Sequence, residues 1–230
     1  MKNIYSNIFS YNKKSLHKTI TSLKKGNIVG LPTETVYGLA GNAYSNVSIK
    51  KIYKLKKRPK INPLIVHFYD YKKAQNDVCL NKDFFKLYKK FCPGPITFIL
   101  RKLSKSKIKS IVSANLDTVA IRFPSHKIIR SVLKEINFPL AMPSANISSS
   151  ISPVNAEDVV DEFKKDIKLV LDGGKSKIGI ESTVVDLTGK PKILRPGIVQ
   201  LKEIKAVLKK EIGLVKKNSN ILSPGMLKKH

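Results

Sequence analysis

The chain has 230 residues, 42% hydrophobic, with 44 Lys and Arg against 16 Asp and Glu, a formal net charge of +28. That length suits one large domain, or one domain with a tail, and that apolar content builds a full core rather than a disordered chain. No apolar run is long enough to span a bilayer and Met1 to Ser10 holds no signal-like stretch, so the expected compartment is the cytoplasm.

The apolar pattern predicts a helix over 13–25, with Leu16, Ile20 and Leu23 on one face and Gly26 as its stop. A buried strand follows at 28–31. Pro32 ends it, because proline has no N–H to give, and Thr33-Glu34-Thr35-Val36-Tyr37-Gly38 leaves its exit. The next helix, over 47–57 with Ser45 or Asn46 as cap, delivers Lys56 and Arg58 at its C-terminal end and stops at Pro59. Then come a strand at 64–68 with His67 near its end, a helix over 83–91, strands at 97–102 and 119–123, and a helix over 126–136 capped by Ser125. A short strand at 139–142 leads into Ser144 and Asn146. A helix over 156–163 capped by Asn155, strands at 168–171, 183–187 and 192–194, and a helix over 202–210 complete the pattern. Consecutive strands without intervening helices predict an α/β fold with a mixed sheet rather than a doubly wound parallel one. Residues 216–230 are polar and read as a tail.

Several chemistries have no support. No phosphate-binding Gly-x-x-x-x-Gly-Lys-Ser/Thr loop and no Gly-x-Gly-x-x-Gly is present, the four histidines form no cluster, and Ser182 lacks the Gly-x-Ser-x-Gly elbow. Cys79 and Cys92 lack metal-ligand spacing and are expected to be buried apolar thiols. What remains is a set of cations and small polar groups, which suits phosphate-centred chemistry. Of the 44 basic residues only Arg58, Arg101, Arg122, Arg130 and Arg195 are arginine. Lysines such as Lys50-Lys51, Lys72-Lys73 and Lys89-Lys90 read as solvated helix surface and as compositional drift. An arginine kept against that drift marks a place where a planar, two-pronged cation is needed. Arg122, on an apolar strand, would cost several kcal/mol to bury alone. Glu34, Glu181 and Asp186 are candidate counter-ions, and none is given a catalytic role.

Seven segments, in order, carry a resemblance: Leu31 to Leu39; Lys56-Lys57-Arg58-Pro59 with Asn62-Pro63-Leu64-Ile65-Val66-His67; Pro93-Gly94-Pro95-Ile96-Thr97; Val119 to Pro124; Pro143-Ser144-Ala145-Asn146; Ser182 to Asp186; and Leu194-Arg195-Pro196-Gly197. Together, over about 28–198, they resemble the YrdC-like family, the threonylcarbamoyl-AMP synthases. The resemblance implies an open twisted sheet with flanking helices and a large positive concavity, formed by a catalytic domain over 10–212. It also implies that 213–230 is a tail, since Ser223-Pro224-Gly225-Met226-Leu227-Lys228-Lys229-His230 is similar to the linker before the second domain of long members. The chemistry implied joins L-threonine, bicarbonate and ATP into threonylcarbamoyl-AMP and pyrophosphate. On that reading Lys56 and Arg58 are catalytic and face the phosphates. Arg58, Asn62, Thr118, Ser144, Asn146 and Arg195 bind ATP, and Thr35, His67, Arg122 and Ser182 bind threonine. Mg²⁺ would be held through ATP phosphates rather than by the protein. The implied partners are a separate tRNA threonylcarbamoyl-transferase complex and, weakly or indirectly, tRNA, but no membrane. The alternative is a non-catalytic double-stranded RNA or tRNA-binding protein of the same fold. Two departures from the family pattern stand out: Lys57 where a small residue is common, and Ser149 where a glycine is usual.

Overall fold

The computed structural model describes residues 5–148 and 150–214, so Ser149 and the linker-like 223–230 lie outside the described residues. In chain order the elements are β1 (Ile8–Ser10), α1 (Lys13–Lys24), β2 (Val29–Leu31), β3 (Gly38–Asn42), α2 (Asn46–Leu55), β4 (Ile65–His67), α3 (Tyr71–Ala74) and α4 (Lys82–Phe91). They continue with β5 (Ile96–Arg101), β6 (Thr118–Arg122), α5 (Lys127–Glu135), β7 (Leu140–Ala141), α6 (Ala156–Phe163), β8 (Val170–Asp172), β9 (Thr183–Asp186), β10 (Lys192–Arg195), α7 (Leu201–Leu208) and β11 (Gly213–Leu214). The strands join in the order β1-β8-β2-β3-β7-β4-β6-β5-β9-β10-β11. Five of these pairs are parallel, among them β4 with β6 and β5 with β9, and five are antiparallel. The sheet is mixed, as the consecutive strands predicted.

Three strands escaped the pattern. In β3, Gly-Leu-Ala-Gly-Asn contains no β-branched residue, and β1 and β11 are short edges. One cap also differs: α5 is capped by His126, whose Nδ1 accepts from the Ile128 N–H, and not by Ser125. Cys79 is exposed and Cys92 half-buried, so the expectation of two buried thiols fails for Cys79.

Side chains alternate across a strand, and that alternation decides where a site can lie. Around β2, β3 and β8 both faces are covered. Leu31, Ala40 and Leu171 pack with Ile129 and Val132 of α5 and Leu23 of α1, while Leu39 and Val170 pack with Val159 and Phe163 of α6. Around β4, β5, β6, β9 and β10 only one face is. Val66, Phe98, Ile121, Val185 and Ile193 meet Ile52 of α2, Phe84 and Leu87 of α4 and Ile204 of α7. The opposite face carries Ile65, Ile99, Ala120, Val184 and Leu194, with no described helix over them. Two residues along from these, on that same face, stand His67, Thr97, Arg122 and Ser182.

Candidate active site

The bare face forms the floor of a cleft enclosing about 610 Å³, counting the space at its open mouth. Its walls come from the β2–β3 loop, the end of α2 and the segment after β7, and the lining includes Thr35, Lys56, Arg58, His67, Arg122, Ser144, Asn146, Ser182 and Arg195. Nine of the eleven distinct residues expected at the site therefore converge on one space, although they span 160 positions of sequence. The other two do not line it. Thr118 starts β6 opposite Arg101, four residues or roughly 13 Å from Arg122. Asn62 is fully buried behind Arg58, whose guanidinium donates to its Oδ1 and its carbonyl oxygen.

The loop after β2 is wired by its own hydroxyls. Thr33 Oγ1 donates to the Val36 carbonyl oxygen at 2.6 Å and lies 2.8 Å from Thr35 Oγ1. Because Thr33 has one proton and it is spent on Val36, Thr35 donates to Thr33 and keeps its lone pairs for an incoming donor. Gly38 permits the loop to approach the segment after β7, since a Cβ there would meet Met142 Cγ at 2.5 Å.

The cations are fixed in two different ways. Lys56 is buried, and its Nζ donates to the carbonyl oxygens of Ser144 (2.6 Å) and Asn146 and lies 3.5 Å from Asn146 Oδ1. It holds the Ser144–Asn146 segment as well as lining the cleft. Burial pulls its ammonium down to about 7, with the Arg58 charge adding to the shift and Glu181 and Glu162 opposing it. Arg58 is held by Asn62 and by the Pro63 carbonyl oxygen, and burial lowers it to about 10. Arg122 and Arg195 instead meet carboxylates. Arg122 Nη2 donates to Glu34 Oε1 at 2.6 Å, and Arg195 Nη1 donates to Glu181 Oε2. Arg195 Nη2 also donates to Ser182 Oγ, which lies 2.7 Å from Thr97 Oγ1. Glu34 and Glu181 are thus the counter-ions. Asp186 is not: its Oδ1 accepts from the N–H and hydroxyl of Thr188, closing a local turn.

Two buried atoms beside the floor lack a hydrogen-bond partner among the described residues, His67 Nδ1 and Arg122 Nε. These residues are register partners across β4 and β6. Burial holds His67 well below 6.5, the Arg122 charge pushing the same way and the carbonyls of Ile65 and Leu140 pulling against them. The imidazole is therefore neutral at pH 7. Buried polar atoms are rarely left unpaired, so a bare pair at a cleft floor is what a ligand would complete. Thr33 and Thr97 support the site although the sequence reading gave them no role there, whereas Glu34 takes the counter-ion role expected of it. Strand alternation puts Thr97 on the Ile99 face, opposite Phe98, and is the signal that would have found it.

An open mixed α/β sheet with one bare face, and on it a cleft of four basic side chains, short hydroxyls and two orphaned polar atoms, defines a binder of small anionic or zwitterionic ligands. Residues 21–197 match the model of the Sua5, YciO and YrdC family, described as telomere recombination, and the chain belongs to that family. It is 40% identical over 191 residues to the threonylcarbamoyl-AMP synthase of Pyrococcus abyssi, covering 81% of this chain and 55% of that protein. Against the threonylcarbamoyl-AMP synthase of Bacillus subtilis the identity is 38% over 226 residues, 96% of this chain and 65% of the relative. The fold superposes on P. abyssi Sua5 complexed with L-threonine at a TM-score of 0.89 and 36% identity, over 95% of this chain and 66% of that one. The chain thus spans between about half and two thirds of the length of these relatives.

Proposed function

We propose that this chain is an L-threonylcarbamoyladenylate synthase, forming threonylcarbamoyl-AMP and pyrophosphate from L-threonine, bicarbonate or CO₂, and ATP. The observation that carries the reading is the floor of the cleft: His67 Nδ1 and Arg122 Nε, buried and unpartnered, beside the acceptor hydroxyl of Thr35. An α-amino acid supplies what these lack. Its carboxylate completes Arg122, and its amine finds acceptors in Thr35 and the neutral His67, with Ser182 closing the subsite. Lys56, Arg58, Ser144, Asn146 and Arg195 lie along the same cleft and receive the nucleotide. Asn62 acts behind Arg58 by fixing its guanidinium. Thr118 is left at the nucleotide end only if ATP reaches along β6.

The chemistry runs from charge. The threonine amine, once its ammonium proton has passed to water, adds through its nitrogen lone pair to the carbon of CO₂, and loss of a second N–H proton to water leaves the carbamate. A carbamate oxygen then attacks the α-phosphorus of ATP, the bond from that phosphorus to the β-bridging oxygen breaks, and pyrophosphate leaves. Negative charge accumulates at each step, and Lys56 and Arg58 offset it from fixed positions. The clamp of Lys56 on Ser144 and Asn146 keeps the segment that faces the nucleotide from moving as charge develops. Among the described residues no three His, Cys, Asp or Glu side chains group as a metal site, and Glu34 and Glu181 are already paired to arginine. Mg²⁺ fits such a cleft through ATP's phosphate oxygens, where it would supply further charge neutralisation. The product would pass to a separate transferase complex acting on the adenosine beside the tRNA anticodon. The expected compartment is the cytoplasm, and no helix among the described residues is long and apolar enough to cross a membrane.

The test is pyrophosphate release from ATP with bicarbonate and Mg²⁺, with and without L-threonine, for the wild type and Arg58→Ala. Threonine-dependent release that Arg58→Ala reduces by at least about a hundredfold, the loss of two to three charge-assisted contacts, supports the reading. Release that ignores threonine defeats it, and RNA binding with no release favours the non-catalytic alternative.

A further inference from the structure

The four arginine and lysine heads of the cleft differ in what neutralises them. Lys56 is held by carbonyl and amide oxygens, and Arg58 by the oxygens of Asn62 and Pro63. Among the described residues no carboxylate is hydrogen-bonded to either, so Arg58 brings a full positive charge to the cleft and Lys56, drawn down to about 7 by burial, brings a charge that an arriving anion would reinforce. Arg122 has a resident partner in Glu34, and the pair is shut away from water, at 4% and 7% exposure. Glu34 is itself immobilised, since its second oxygen accepts from the Ser125 N–H at 3.1 Å and its carbonyl oxygen accepts from the Ile178 N–H. Burial pushes the Glu34 carboxyl up, but the Arg122 charge and hydrogen bond outweigh it, so the carboxylate is ionised at neutral pH. The floor around Arg122 therefore sums to zero: one guanidinium, one carboxylate, a neutral imidazole and hydroxyls.

We propose that Glu34 is a positioning and specificity residue that reserves Arg122 for the carboxylate of a zwitterion and keeps phosphate groups out of the amino-acid subsite. This rests on the reading of that subsite as the threonine site. Glu34 occupies one edge of the guanidinium and leaves Nε as the free donor. A zwitterion adds no net charge to a desolvated, neutral floor, so its carboxylate is accepted. Phosphate brings one to two uncompensated charges to the same spot and is rejected, because unpaired charge away from water is costly. The phosphates of ATP are directed to Lys56 and Arg58 instead. Without Glu34, Arg122 would be one more bare cation in an anion-binding cleft, and nucleotide or pyrophosphate would compete for it.

The test is calorimetric titration of L-threonine into the protein at constant ionic strength, with inorganic phosphate as the competing probe. For the wild type the threonine Kd should not move with phosphate. In Glu34→Gln it should weaken as phosphate is added, by about tenfold once phosphate reaches about ten times its own Kd. Glu34→Asp, which keeps the charge, should stay insensitive to phosphate. The double variant E34Q/R122Q should lose the phosphate effect, which a merely structural role for Glu34 would not bring about. Phosphate competing with threonine in the wild type overturns the proposal, with no need for any variant to fold, and so does a phosphate-insensitive E34Q. A wild type that takes up no threonine, with or without ATP, is a different failure: it defeats the threonine reading, and this inference with it.

Discussion

His67 shows how a single side chain ties the site to the stability of the fold. It is buried, held well below 6.5 by burial and then by the Arg122 charge, and so stays a neutral imidazole, without the second ring proton, in the folded chain near neutral pH. The unfolded chain binds that proton below about 6.5. Above 6.5 both states are neutral there and the stability is present in full. As the pH falls below 6.5 the unfolded state takes up a proton that the fold excludes, and stability is lost. One such group contributes a slope of up to about 1.4 kcal/mol per pH unit. Urea unfolding of the wild type at pH 7.0, 6.0 and about 5.5 should show this fall, with His126 adding a smaller part through its own burial. His67→Gln should flatten the curve by close to one proton's worth. Equal slopes in the two proteins would mean that His67 titrates alike folded and unfolded, and that the floor of the cleft is wetter than its geometry says.

At the scale of elements, α2 is where sequence logic and backbone geometry meet. The sequence predicts its C-terminal cations from the Pro59 stop, and the helix ends at Leu55 with Lys56 as cap. The next residue, Lys57, takes φ +49, a left-handed conformation that suits glycine, which explains why the family pattern has a small residue here. That turn is what swings Lys56 and Arg58 to the cleft while the exposed Lys57 faces away from it. Lys57→Gly should therefore stabilise the chain by about 0.5–1 kcal/mol, the strain relieved less the added freedom of the unfolded state, and leave threonine-dependent pyrophosphate release unchanged. A lower melting temperature in the variant would show that the turn is unstrained. Most of the sheet was legible in the same manner, because 28–31, 64–68, 97–102 and 119–123 are apolar and rich in β-branched residues. β3 was not, because Gly38 and Gly41 serve close approach to Met142 and Ile52 rather than strand propensity. In the site, residue types with few structural uses were legible: buried arginines, and a histidine at a strand end. What each arginine is paired with was not, since Glu34 and Arg122 are 88 positions apart and Asp186 was an equally good candidate until the fold turned it toward Thr188.

For the whole molecule the governing fact is a charge of +28, of which little is neutralised internally. Four ion pairs occur among the described residues, and two of them belong to the arginines of the cleft. Folding draws the charges together, from a radius of gyration of roughly 52 Å for an unfolded chain of this length to roughly 17 Å. Repulsion is therefore larger in the folded state, and salt should relieve it. Raising NaCl from about 10 mM to about 150 mM, which shortens the screening length from ~30 Å to ~8 Å, should raise the melting temperature by a few degrees, the effect of about 1 kcal/mol in a chain of this size. The same titration separates the surface from the cleft. Attraction of a polyanion to lysines spread along nearly every segment of the chain should fall steeply with salt, roughly one power of concentration per phosphate contact. Threonine binding to a floor of zero net charge should hardly move, and ATP, whose phosphates meet Lys56 and Arg58, should lie between. If threonine affinity falls with salt as steeply as polyanion binding does, the floor is not neutral, and the cleft is simply the deepest part of a uniformly basic surface. If the three dependences separate, the lysines set solubility and long-range attraction, while Glu34 and Glu181 shape a local field that their charge does not reach.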